Sequence, residues 1–143
     1  MMTSIGRVKG LGEVAIRVQG LDAMHKFYEE VIGLEVLRRD ARFVFFRIAE
    51  GYGGHSQVLA LFDATELGLI EAKSPQVSVV TSTLHHIALN IALEDFELER
   101  KRLVALGLEL EVVEHPWLHV RSLYFSDPEG NLLEFVSYDE RVG

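Results

Sequence analysis

With no cysteine among its 143 residues, this chain must do any metal or proton chemistry with histidine, carboxylate or tyrosine side chains. Thiolate ligands, thiol nucleophiles and disulfides are excluded together. Three residues stand out by type and setting: Glu13, His86 and Glu134. Each sits at an alternating or apolar segment, in Glu13-Val14-Ala15-Ile16-Arg17-Val18, His86-Ile87-Ala88-Leu89-Asn90-Ile91 and Leu132-Leu133-Glu134-Phe135-Val136. A strand sends successive side chains to opposite faces. Val14, Ile16, Val18, Leu123, Phe125, Leu133 and Phe135 therefore form a face for helices to cover. Glu13, Ala15, Arg17, His86, Ala88, Asn90, Ser122, Tyr124, Ser126, Leu132, Glu134 and Val136 fall on the other face. A carboxylate in an apolar strand costs several kcal/mol to desolvate unless it is paired or coordinated. Two acids and an imidazole of the same parity accordingly predict a divalent-cation site, and the polar face predicts a cleft.

The elements that must position these residues come in two copies. His86-Ile87-Ala88-Leu89 repeats the pattern of Glu13-Val14-Ala15-Ile16 after 73 residues, and the two helices that follow are predicted to end in Gly33-Leu34-Glu35 and Gly107-Leu108-Glu109. Asp22 is expected to cap the first helix, whose stripe is Met24, Phe27, Tyr28, Val31 and Ile32. The second helix, about Glu94 to Leu106, has a stripe of Phe96, Leu103 and Leu106. Three strands follow each helix: Glu35 to Arg39, Arg42 to Ala49 and Gln57 to Phe62 in the first copy, and Leu108 to Glu114, Val120 to Ser126 and Asn131 to Ser137 in the second. Gly51-Tyr52-Gly53-Gly54 and Asp127-Pro128-Glu129-Gly130-Asn131 supply the turns before the last strands. Residues 11–63 thus form a first module, 64–83 a linker and 84–139 a second module, in an α+β fold.

Composition narrows the partners. At 48% hydrophobic, a chain of this length buries about two-thirds of its unfolded surface, enough for a core without staples. The formal charge of −8, with Lys and Arg scattered among 22 acidic residues, argues against nucleic acid, which requires clustered cations. No apolar run is long enough for a membrane span, and Met1 to Gly12 lacks the features of a signal peptide. The expectation is a cytoplasmic protein with a small-molecule substrate.

Taken together, Phe27-Tyr28 with Ile32-Gly33-Leu34, His86-Ile87-Ala88-Leu89, and Leu123-Tyr124-Phe125-Ser126-Asp127-Pro128-Glu129-Gly130-Asn131 leading into Leu133-Glu134-Phe135 resemble the vicinal oxygen chelate superfamily. That superfamily includes glyoxalase I, methylmalonyl-CoA epimerase, fosfomycin-resistance enzymes, extradiol dioxygenases and bleomycin-resistance proteins. The resemblance implies two βαβββ modules whose curved mixed sheets enclose a cleft, with helices outside, and a homodimer. It places metal ligands at Glu13, His86 and Glu134. The fourth place used by glyoxalase I falls on Ala60, which cannot ligate, so the site has the three-ligand form with positions open to water or substrate.

Glu13 stands where relatives often carry His or Gln. Two carboxylates and one imidazole neutralise a divalent ion and suit Mn, Fe, Zn or Mg, with Ni also carried over from the superfamily. The implied activity is a lyase or isomerase that chelates vicinal oxygens, with Glu134 or Glu13 as the base and Tyr124, ten residues before Glu134, touching substrate. Arg17, Arg47 and Asn90 are expected to receive an anionic group, Phe43 and Phe45 to form an apolar wall, and Ser122, Trp117 and His119 to contact substrate, the last two from a loop with His115. His85 and His55 should face away from the cleft, and His25 should be a solvated helix residue. A metal-free ligand-binding protein like the bleomycin-resistance branch, and a ferrous oxygenase, are the alternatives.

Overall fold

Alternation in Glu13–Val18 produces strand β1, with Val14, Ile16 and Val18 turned toward the core and Glu13, Ala15 and Arg17 exposed. The computed structural model describes residues 6–65 and 84–143. The chain divides into two compact units, Met1–Ala72 and Lys73–Gly143. Of the expected linker, residues 64–83, positions 66–83 lie outside the described residues; Ala64, at its start, donates its N–H to the Val18 carbonyl at 2.8 Å.

In the first unit β1 is followed by α1 (Leu21–Lys26), which runs into a π-helical stretch (Phe27–Ile32), and then by β2 (Glu35–Arg39), β3 (Phe43–Glu50) and β4 (Ser56–Asp63). The strands order as β1-β4-β3-β2. β1 pairs with β4 in parallel, and the other pairings are antiparallel. Met24, Phe27 and Tyr28 from the helical stretch are buried with Val18, Val44, Phe46, Leu59 and Leu61 from the strands. Each such side chain contributes about 1.5–3 kcal/mol of transfer free energy. Gly33 takes the left-handed conformation, φ 88°, that ends the helix, as a Cβ-free residue does readily. Asp22 does not cap α1. The N-cap is Gly20, without a side-chain bond, and Asp22, inside the first turn, instead receives Arg39 Nη2 from β2 at 2.6 Å.

The second unit repeats the plan: β5 (Ile87–Asn90), α2 (Phe96–Ala105), β6 (Glu111–His115), β7 (Val120–Ser126) and β8 (Leu132–Tyr138), in the order β5-β8-β7-β6. Phe96 and Leu103 of α2 are buried, as are Leu123, Phe125, Leu133 and Phe135 of the sheet; the Phe125 and Phe135 rings meet edge to face at 5.1 Å. Leu106 is not part of the buried stripe. It is 54% exposed, because α2 ends at Ala105 and Gly107, at φ 87°, turns the chain away. That exit uses residues 108–110, so β6 begins at Glu111 rather than Leu108. Asp127 organises the last turn, accepting the N–H groups of Glu129 and Asn131 at 2.9 and 3.0 Å. The two units therefore share one βαβββ topology in an α+β chain. Among the described residues no helix is long and apolar enough to cross a membrane.

Candidate functional site

The face of the second sheet opposite its helix gathers five of the expected site residues. In the register of β7 and β8, Tyr124 stands opposite Glu134 and Ser122 opposite Val136; across β5 and β8, Ala88 stands beside Glu134 and Asn90 beside Val136. Glu134 is buried at 7% exposure, and each of its oxygens has a partner. Oε1 lies 3.0 Å from His86 Nε2, and Oε2 accepts the Ser122 hydroxyl at 2.5 Å. His86, just before β5, meets His85 through the other side of its ring, Nδ1 to Nδ1 at 2.8 Å. With both nitrogens engaged, the His86 ring is fixed in plane.

Tyr124 completes the group. Its ring lies 6.2 Å from that of His86, edge to face, and its hydroxyl is 2.9 Å from His115 Nε2. Burial pushes the phenol pKa above its ordinary value, and the nearby Glu134 charge adds to the rise. Tyr124 is therefore a proton donor rather than a phenolate near neutral pH. A groove of about 620 Å³ opens beside it, lined by residues 107–111, Phe125, Ser126 and Leu132.

The corresponding face of the first sheet is built from different residues. Glu13 is exposed at the start of β1, beside Val58, and Arg17 lies beside Phe62. Phe43 and Phe45 stack at 4.8 Å, and each lies 5.9 Å from Phe62, so the expected apolar wall is an aromatic cluster of three. Arg47 sits between Glu35 on β2 and Val58 on β4. Ala60 is fully buried opposite Phe45.

The loop between β6 and β7 carries Trp117 and His119. Trp117 is 79% exposed on a single turn of 3-10 helix, Pro116–Leu118. His119, at the left-handed end of that turn with φ 54°, spends its ring on the Val142 carbonyl at 2.8 Å, which ties it to the C-terminal segment. His115 ends β6 rather than sitting in a loop. His85 bonds to His86 instead of turning away, because regular pairing of β5 begins only at Ile87. His25 is half-buried, edge-on to Phe46 at 5.7 Å and 2.7 Å from Arg39 Nη1. Phe62 was visible in the sequence through its parity with Ala60; the reach of His115 to Tyr124 was not, since it depends on where β6 ends.

A divalent cation fits the donors of the second unit. Two ligands at about 2.1 Å from one ion and at right angles stand about 3 Å apart, and His86 Nε2 and Glu134 Oε1 are separated by 3.0 Å. Ser122 and His85 hold these two groups from behind, as partners of metal ligands do. Among the described residues no group of three or more His, Asp or Glu side chains is gathered to hold a metal ion.

Comparison with known proteins agrees with this architecture. An integron cassette protein from the mobile metagenome of the Halifax Harbour sewage outfall is similar over 91% of this chain and 99% of its own, at 28% identity and a TM-score of 0.66. Lactoylglutathione lyase from Agrobacterium tumefaciens matches at 24% identity and 0.65, covering 92% of this chain and 96% of its own. The genomically encoded fosfomycin resistance protein FosX from Listeria monocytogenes matches at 22% and 0.64, covering 91% and 93%. These last two likenesses speak to the fold. The profile of the Glyoxalase/Bleomycin resistance protein/Dioxygenase superfamily matches residues 10–135, and with the repeated βαβββ topology this establishes that the chain belongs to that superfamily.

Proposed function

We propose that the protein is a divalent-metal-dependent lyase or isomerase acting on a small organic substrate with vicinal oxygens. His86 and Glu134 of the second module and Glu13 of the first are its metal ligands; Mn, Fe, Zn, Ni and Mg all suit the donor set. The observation that carries this reading is the His86–Glu134 contact of 3.0 Å on a carboxylate that is almost wholly buried. When bound, the ion supplies positive charge against the negative charge that develops on the substrate's oxygens.

The chain's own residues do the rest. Ser122 fixes Glu134 by donating to Oε2, and His85 fixes the His86 ring. Tyr124, neutral near pH 7, offers its hydroxyl to a substrate oxygen. Glu13 or Glu134 takes the transferred proton, as a carboxylate base within hydrogen-bond reach can. Phe43, Phe45 and Phe62 favour an apolar or aromatic group, with Arg17, Arg47 and Asn90 as candidates for an anionic one. Action in the cytoplasm as a homodimer is part of the same reading.

Elemental analysis of the purified protein tests it: about one divalent ion per chain is expected, lost in Glu134→Gln because an amide is a far weaker ligand than a carboxylate. Full metal content in that variant overturns the assignment. The aromatic cluster of the first sheet supports a second reading, a metal-free protein that binds flat apolar ligands. It is favoured if no metal is found and an aromatic ligand quenches Trp117 fluorescence.

A further inference from the structure

We propose that His115 is a positioning residue for Tyr124, fixing the phenol ring and hydroxyl beside Glu134 where a substrate would meet them. The functional part of this inference rests on the reading above, in which Tyr124 meets substrate beside Glu134. The contact itself does not.

Tyr124 lies between two acids in the sheet register, Glu111 on β6 and Glu134 on β8. Ser122 and Glu134 both lie close enough to influence the Tyr124 hydroxyl by hydrogen bonding. The two Glu134 oxygens already have His86 and Ser122 as partners. The Tyr124 hydroxyl also meets His115 Nε2 at 2.9 Å, with the rings edge to face at 6.1 Å. His86 flanks the phenol ring at 6.2 Å, so imidazoles bracket it and limit its rotation.

Sequence context makes His115 suited to this. It is the last residue of β6, and Pro116 directly after it starts the turn to β7, where the fixed φ of proline restricts the backbone. A hydroxyl whose oxygen accepts from an imidazole N–H keeps its own proton, which is what a substrate oxygen would take. Nothing else in the proposed chemistry accounts for a half-buried histidine aimed at this hydroxyl.

The test uses protein labelled with ¹³C at the tyrosine Cζ and freed of metal with a chelator. Tyr28, Tyr52, Tyr124 and Tyr138 are the four tyrosines, and Tyr124→Phe identifies the Tyr124 resonance by its loss. In His115→Phe the Tyr124 resonance should leave its wild-type position while the other three stay. His115→Gln, which keeps a hydrogen-bonding amide, should restore it. An unmoved Tyr124 in His115→Phe, or equal displacement in the Phe and Gln variants, overturns the proposal. Should His115→Phe not fold, the His115 imidazole ¹⁵N resonances in Tyr124→Phe decide: a shift is expected, and none overturns it. Manganese(II) uptake should be the same in His115→Gln as in wild type; its loss would make His115 part of the cation site and overturn the positioning role. Wild-type protein that takes up no manganese, zinc or nickel overturns the metal reading alone, since the tyrosine measurement is made without metal.

Discussion

The two modules share their strand order and, around Ala60 and Glu134, their register, and differ in what the register carries. Ala60 in the first module lies beside Ala15 and opposite Phe45; Glu134 in the second lies beside Ala88 and opposite Tyr124. By the same correspondence Phe43 matches Ser122, and Phe62 matches Val136. Three aromatic rings and a methyl group thus fill in one sheet the places that hold a carboxylate, a hydroxyl, a phenol and a valine in the other. On the opposite faces the difference vanishes: Phe46 and Phe125, in matching places, are both buried. The helix-facing side is constrained by packing, which any apolar residue of the right volume satisfies. The far side is free to vary, and there one copy has the character of a wall and the other of a reactive surface.

The largest effects should confirm that the two cores are alike. Phe46→Ala and Phe125→Ala each remove a buried ring and should each cost about 3–5 kcal/mol of stability, read from urea denaturation. A cost below about 1 kcal/mol for one of them would mean that the matching registers do not bear equal packing.

Smaller effects should separate the far faces. Ser122→Ala leaves Glu134 Oε2 without its buried donor and should weaken divalent-metal affinity roughly 10–100-fold, the usual cost of losing a group behind a ligand. Phe43→Ala, at the matching place in the first sheet, should leave that affinity within about a factor of three, below the roughly 1 kcal/mol that one hydrogen bond contributes. Competition with a metal-sensing dye measures both. Equal losses in the two variants would erase the distinction between wall and site.

The common topology and the burial of alternate residues were legible in the sequence because period-two patterning and the Gly33 and Gly107 stops are local. The shared face of His86, Ser122, Tyr124 and Glu134 followed from the same parity. What escaped depended on residues distant in sequence. Asp22 has the right chemistry for a cap, yet Arg39 from another strand claims it. His25 looked solvated until β3 brought Phe46 and β2 brought Arg39 against it. His119 had the company of a binding loop, but Val142, 23 residues on, takes its ring nitrogen. Parity tells which side of a sheet a residue occupies and says nothing about which neighbour reaches it first.

The smallest expected effect lies where each last strand ends. Asp63 is held by the Thr65 hydroxyl and N–H at 2.6 and 2.8 Å, Asp139 by the Arg141 guanidinium at 2.9 and 3.0 Å and by the Arg141 N–H. Both carboxyls titrate below their ordinary value, the first because Thr65 donates to the carboxylate, the second chiefly because Arg141 does. A folded value below the unfolded one means that each contributes stability at pH values above the unfolded pKa of about 3.9 and loses it as pH falls through the lower folded value. The partners differ in charge, so salt should tell them apart. Raising ionic strength to about 1 M shortens the screening length to about 3 Å, which weakens the attraction of Arg141 but not the dipolar bonds of Thr65. In a carboxyl ¹³C titration Asp139 should move back toward the ordinary value while Asp63 stays. Movement of both by the same amount would show that local hydrogen bonds, rather than charge, set the two ends alike.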